Sequence, residues 1–195
     1  MINKLPAWVG FGAFIMAFSA GIINTFTITS VSHHAVTHQS GNFSFMVNEL
    51  ISGNTPFFLH YFLIIICFMA GCILSGYIIR GYQLKLGRRY GVSLLIECAM
   101  IGTAWFLYGP YHLLSLLLLA FASGLQNAMA TTYSGAVIRT THLTGVFTDI
   151  SVMIGNRIAG QKIPLKKMQL LVGILIGFFN GSILAGILNP FIGKH

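Results

Sequence analysis

Five long apolar runs dominate this chain, at about residues 7–29, 57–79, 90–108, 110–132 and 168–188. Each is close to the ~20 residues that a helix needs to cross a bilayer core. Such runs leave little choice of fold, and the expectation is an all-α polytopic membrane protein. Composition agrees, with 55% hydrophobic and only 7% charged residues, against about 25% charged in a soluble domain. The net charge of +8 does not point to nucleic acid. Its Lys and Arg residues cluster between the apolar runs, as they do in membrane proteins with cytoplasmic basic loops. Cys67, Cys72 and Cys98 all sit inside apolar runs and read as small packing residues rather than a disulfide framework. Lys4 ahead of an apolar run, with Ala17 to Ala20, faintly resembles a cleaved signal. Cleavage is not expected, because the residues that follow belong to an internal repeat.

Two further apolar stretches, 41–53 and 145–160, are too short or too polar to cross comfortably. A helix of that length covers roughly 20 Å, about two-thirds of the hydrocarbon core. They read as half-helices or re-entrant segments. Pro56 and Pro110 fall at helix starts, where a missing N–H is harmless, and Pro190 is expected to close the last helix.

Three short matches recur in the same order. Ala20-Gly21-Ile22-Ile23-Asn24 pairs with Ser123-Gly124-Leu125-Gln126-Asn127. Thr37-His38-Gln39-Ser40-Gly41 pairs with Thr141-His142-Leu143-Thr144-Gly145. Gly71 to Gly76 pairs with Gly181 to Gly186. Three matches in register indicate a duplication within a single membrane domain, 1–195. Repeat 1 covers 7–80 and repeat 2 covers 110–190, with a connector helix at 90–108. Each unit is then a spanning helix, a polar loop with a short half-helix, and a second spanning helix.

Charge placement bears on orientation. Residues 30–55 contain no Lys or Arg. With five full spans and two re-entrant or short helices, Lys4 and the loops 80–89 and 133–167 share one side, leaving only Lys194 opposite. With seven full spans in a three-plus-one-plus-three plan, Lys162, Lys166 and Lys167 move to the other side, against the positive-inside pattern. The first plan is preferred and makes the repeats inverted; the second would make them parallel. It places the N-terminus and the loops 80–89 and 133–167 on the cytoplasmic side.

The repeated polar phrase is the candidate site. Ser40 and Thr144 are expected to cap the short helices, whose N-termini favour negative charge. Asn24, Thr37, His38, Asn127, Thr141 and His142 could line a polar site where the two breaks converge. Simple capping and helix bridging account for the same residue types, so both readings stand. Glu97, near the middle of the connector, is a candidate for proton or substrate coupling or for an interhelical hydrogen bond. Asp149 is a second buried charge, with Arg139 or Arg157 as possible partners. Small residues at four-residue spacing (Gly173, Gly177, Gly181 and Ala185; Ala13, Ala17 and Gly21; Ala120, Gly124 and Ala128) suit close helix packing. His33, His34 and His38 lack neighbouring Cys or carboxylates, so no metal site is read, and no cofactor is implied.

The run Gly124-Leu125-Gln126-Asn127 followed by Arg139-Thr140-Thr141-His142-Leu143-Thr144-Gly145 resembles the signature of the YoaK family of bacterial integral membrane proteins. Gly21 and Asn24, with Ser40-Gly41-Asn42, resemble its first motif, where the usual text is Thr-Gly-Asn. Glu97 also falls where that family tends to carry a Glu. The resemblance covers about residues 10 to 190. It implies an inner-membrane protein of six or seven helical segments and leaves the activity open.

The functional expectation is a transporter or channel for a small polar solute or anion, bound between the repeats near mid-bilayer. A structural or partner-binding membrane protein is the alternative. An intramembrane enzyme is not expected, because His-Glu-x-x-His, paired Asp and Gly-x-Ser-x-Gly motifs are all lacking. The expected partners are the unidentified solute and membrane lipid, with a homo-oligomer as a further candidate.

Overall fold

The computed structural model describes residues 7–29, 34–80, 88–134 and 140–192. Those residues form seven helices: α1 Ala7–Thr29, α2 Gln39–Ile51, α3 Thr55–Ile79, α4 Arg88–Leu107, α5 His112–Ser134, α6 Leu143–Ile158 and α7 Leu165–Ile192. Five of them, all but α2 and α6, are long and apolar enough to cross a membrane. The short helices have 13 and 16 residues. Large apolar side chains such as Phe11, Ile73, Leu95, Phe106 and Phe179 face outward, as expected where lipid replaces water. Pro56 lies in the first turn of α3, as the sequence indicated. Pro190 does not close α7, which runs on to Ile192. A proline so near the C-terminus costs little further helix.

Buried residues fix the helix directions. One cluster joins Val9 and Ala13 at the start of α1 to Ile79 at the end of α3. It also holds Tyr90 at the start of α4, Met129 and Ala130 late in α5, and Leu170 early in α7. The second cluster joins Ile23, late in α1, to Ile64, Ala104, Leu116 and Leu119. These lie early in α3, late in α4 and early in α5. Helices α1, α4 and α7 therefore run one way, and α3 and α5 run the other. The Asn189 amide donates to the Thr29 carbonyl at 3.0 Å, joining the ends of α7 and α1. Since α1 and α5 are the leading helices of the two matched units, the units lie in opposite senses. Arg80, Arg88, Arg89, Arg157, Lys162, Lys166 and Lys167 all fall toward the end marked by the first cluster.

The most extensive helix contacts are α1 with α7 and α3 with α5, so each tight pair takes one helix from each unit. A Cβ added at Gly21 or Gly181 would run into the backbone carbonyl of Phe178 or Phe18. One added at Gly71 or Gly124 would run into that of Phe121 or Phe68. The four positions form one pattern, Phe-x-x-Gly, carried once by each helix. Each glycine sits against the carbonyl of its partner helix's Phe, where only a missing side chain allows the approach. The expected glycine stripe on α7 holds at Gly177 and Gly181. At Gly173 an added Cβ would meet nothing within 4 Å, so that glycine takes no part in the packing.

Candidate functional site

The chain leaves α1 at Thr29 and returns beside it before α2 begins. His38 N–H donates to the Ala35 carbonyl at 3.1 Å. Gln39 Nε2 donates to Val36 O at 2.7 Å, and Asn42 Nδ2 to Ala35 O at 2.9 Å. These bonds close the break on itself, and Asn42 is buried. Sequence reading placed Asn42 in the Ser40-Gly41-Asn42 motif but not among the candidate site residues.

The turn is pinned to α1 by side chains. Thr37 Oγ1 donates to Asn24 Oδ1 at 2.6 Å. His38 Nδ1 lies 3.2 Å from the same Oδ1 and 2.9 Å from Thr37 Oγ1. Thr37 has one hydroxyl proton and gives it to Asn24, while an amide oxygen only accepts. His38 Nδ1 must therefore carry a proton to make either contact. In the neutral ring this leaves Nε2 as a free acceptor.

The second break repeats the central bond, with Thr141 Oγ1 donating to Asn127 Oδ1 at 3.0 Å. Thr37 and Thr141 are both buried, as is Asn24, whereas Asn127 is half-buried and His142 is exposed. Asn24 lies late in α1 and Asn127 late in α5, and these helices run in opposite directions. The breaks therefore enter the bundle from opposite ends. Burial first, and then the charge of His142, hold the His38 imidazole below its usual pKa. The His38 ring also stands edge-on to Phe178 of α7, with centroids 6.2 Å apart.

The cap expectation is corrected. His38 and His142, not Ser40 and Thr144, occupy the N-cap positions, and neither makes a side-chain cap hydrogen bond. Ser40 and Thr144 lie inside the first turns and are exposed. Their carbonyls accept from Ser44 Oγ at 3.1 Å and Thr148 Oγ1 at 2.8 Å. Each helix starts two residues earlier than the glycine suggested. The Thr hydroxyl that could have capped is instead committed to Asn. The first N–H groups of both short helices thus lack a side-chain acceptor from the cap residue.

The remaining candidates lie elsewhere. Asp149 pairs with Lys167 at 2.8 Å, part-exposed at the basic end, rather than with an arginine. Arg139 lies outside the described residues. Glu97 is buried on α4, and its Oε2 has no hydrogen-bond partner.

A family described as "Protein of unknown function (DUF1275)" matches residues 12–195, and the chain belongs to it. Neither a curated protein nor a solved structure gives a significant match.

Proposed function

We propose that the protein is a transporter or channel for a small polar solute or anion, bound where the two backbone breaks meet. The observation that carries this reading is the repeated Thr-to-Asn hydrogen bond at an opened helix, one entering from each end of the bundle. Non-helical backbone within a membrane bundle is tolerated only inside protein or beside a cavity. Two short helices begin there without side-chain caps. Leu143 N–H of α6 donates to the Thr141 carbonyl at 3.2 Å; the dipoles and the other first-turn N–H groups of the two helices favour an anion or an electron-rich atom. The opposite directions of α1 and α5 support an inverted repeat, a plan used by secondary transporters with a site at the repeat interface. The resemblance to the YoaK family of bacterial membrane proteins is consistent with the family match. With the basic end cytoplasmic, the protein sits in a bacterial inner membrane, and the loops 80–89 and 133–167 face the cytoplasm.

Proteoliposome flux assays with small anions, neutral polar solutes and protons test this. Flux of one class is expected, reduced at least tenfold in both Asn24→Ala and Asn127→Ala. Flux that neither change alters removes the site. Single cysteines at positions 35 and 164 should label from opposite faces of the membrane, and labelling from one face removes the inverted plan.

A further inference from the structure

The buried face of α4 consists of Tyr90, Ser93, Glu97 and Ala104. Its register against α5 is set by one bond, from Ser115 Oγ to the Ala104 carbonyl at 2.8 Å. The two helices are antiparallel. Two turns back from Ala104 is Glu97, and two turns on from Ser115 is Ala122. One more turn brings Ser93 level with Gln126. Helical side chains lean toward their own N-terminus, so Glu97 leans toward the Ser93–Gln126 level. Gln126 cannot turn away, because its Nε2 donates to the Met16 carbonyl of α1 at 2.6 Å. Its amide oxygen is the free end.

Three buried oxygen atoms on these facing stripes lack partners: Glu97 Oε2, Gln126 Oε1 and Ser93 Oγ. The three residues are 5%, 1% and 0% exposed. No Lys or Arg occurs in α1, α3 or α5. On α4, Arg88 and Arg89 are exposed at its start. Of the titratable groups on the neighbouring helices, His112 lies at the far end of α5, and His60 and Tyr61 lie at that same end, early in α3. Tyr77 lies at the opposite end of α3 and is exposed. Cys72 donates to the Gly124 carbonyl, and Cys67 lies a turn and a half before it. Tyr90 lies on the same face of α4 as Glu97. Among the described residues nothing cationic therefore faces Glu97, and an ionised carboxylate buried without a partner is costly. The three oxygens make no hydrogen bond to one another in this structure. A proton on Glu97 supplies the missing donor: the acid O–H can turn to Gln126 Oε1, and the Ser93 O–H to the carboxyl.

We propose that Glu97, Ser93 and Gln126 form an exchangeable proton site at the junction of α1, α4 and α5. The proton binds a carboxylate oxygen of Glu97 and leaves to water, with no other bond made or broken. The site does not depend on the transport reading. It sits where the connector helix meets one helix from each unit. Loss of the proton sets a carboxylate against the amide oxygen of Gln126, the residue that links α5 to α1.

The test is pH-difference infrared spectroscopy on the intact protein in lipid vesicles, without any solute. A protonated-carboxyl band is expected at low pH. It should be absent in Glu97→Gln, vanish with rising pH as a one-proton titration, and be the same in sodium and choline chloride. Ser93→Ala should shift the band by removing one hydrogen bond while leaving the fold in place, which keeps the test valid if Glu97→Gln does not fold. A band that persists at every pH marks a fixed structural proton and overturns the proposal. So does a band absent at every pH, or a titration that sodium abolishes. None of these outcomes bears on the flux assays with Asn24 and Asn127.

Discussion

Gly181→Ala and Gly173→Ala are the same chemical change on one helix, and they should act in opposite directions. At Gly173 an added methyl meets nothing within 4 Å. Alanine should therefore stabilise by the roughly 0.5–1 kcal/mol that a helical glycine forfeits. At Gly181 the methyl would overlap the Phe18 carbonyl of α1 and also sit 3.1 Å from the Ile22 nitrogen. These are backbone atoms and cannot rotate aside. Gly177 gives the scale. Its added Cβ would lie 2.6 Å from the Phe14 carbonyl, against the 3.4 Å at which ordinary contact begins, so α1 and α7 would have to part by about 0.8 Å. Gly181 requires more. Overpacking of this kind costs roughly 1–3 kcal/mol, and a net loss of about 2 kcal/mol changes the folded-to-unfolded ratio about 30-fold. The expected order of stability is Gly173→Ala above wild type, then Gly177→Ala, then Gly181→Ala. Unfolding by titrated detergent in mixed micelles, followed by helical circular dichroism, measures it. Equal effects at 173 and 181 would refute the close-contact reasoning.

Thr37→Val removes the hydroxyl that donates to Asn24 and leaves a buried amide oxygen with only the longer His38 contact. A loss of roughly 1–3 kcal/mol is expected by the same unfolding assay, with a smaller loss for Thr141→Val because Asn127 is half-buried. His142→Gln removes the second cause of the low His38 pKa. By histidine proton resonances, the His38 midpoint should rise toward 6.5 and remain below it, because burial persists. A midpoint unmoved by the change means that the two breaks do not communicate. Lys167→Ala breaks a part-exposed ion pair and should cost less than about 1 kcal/mol in the same unfolding titration.

Hydropathy alone located the long helices to within a few residues, because a 20-residue apolar run has no other stable form in lipid. The short helices were legible as elements, but their starts were misplaced by two residues. Ser40 and Thr144 are good caps by residue type. The chain instead places His38 and His142 at the caps, because Thr37 and Thr141 are held by Asn24 and Asn127. Those bonds join positions 13 and 14 residues apart, and local cap propensity contains no information about them. The Asn and Thr residues were legible for a different reason, since each recurs at the same place in the duplicate. Four-residue spacing picked out Gly21, Gly124, Gly177 and Gly181, which do meet a facing carbonyl, but it left out Gly71 and included Gly173. The fourfold Phe-x-x-Gly pattern at Phe18, Phe68, Phe121 and Phe178 was present to be read. It separates glycines that meet a carbonyl from those that meet open space.

The partition of contacts bears on how such a protein could move. Each break is held to the leading helix of its own unit by a Thr-to-Asn hydrogen bond, joined in the first by the His38 contact to the same Asn24 oxygen, each bond worth about 1 kcal/mol net. The glycine contacts instead join helices of different units, α1 to α7 and α3 to α5. Close backbone packing is hard to slide, because any displacement drives carbonyls into the facing helix. The two crossed pairs are therefore the rigid bodies, and the weakly held breaks lie between them. Contact between α1 and α5 is slight, and Gln126 to Met16 is a hydrogen bond that spans it. Rocking of one crossed pair against the other would break few contacts and would open the breaks alternately to the two ends. Cross-linking separates this from a fixed pore. A disulfide engineered between α1 and α5 should abolish flux and recover it on reduction, whereas one between α1 and α7 should leave flux unchanged. The same result for both pairs would rule out the crossed pairs as the moving units.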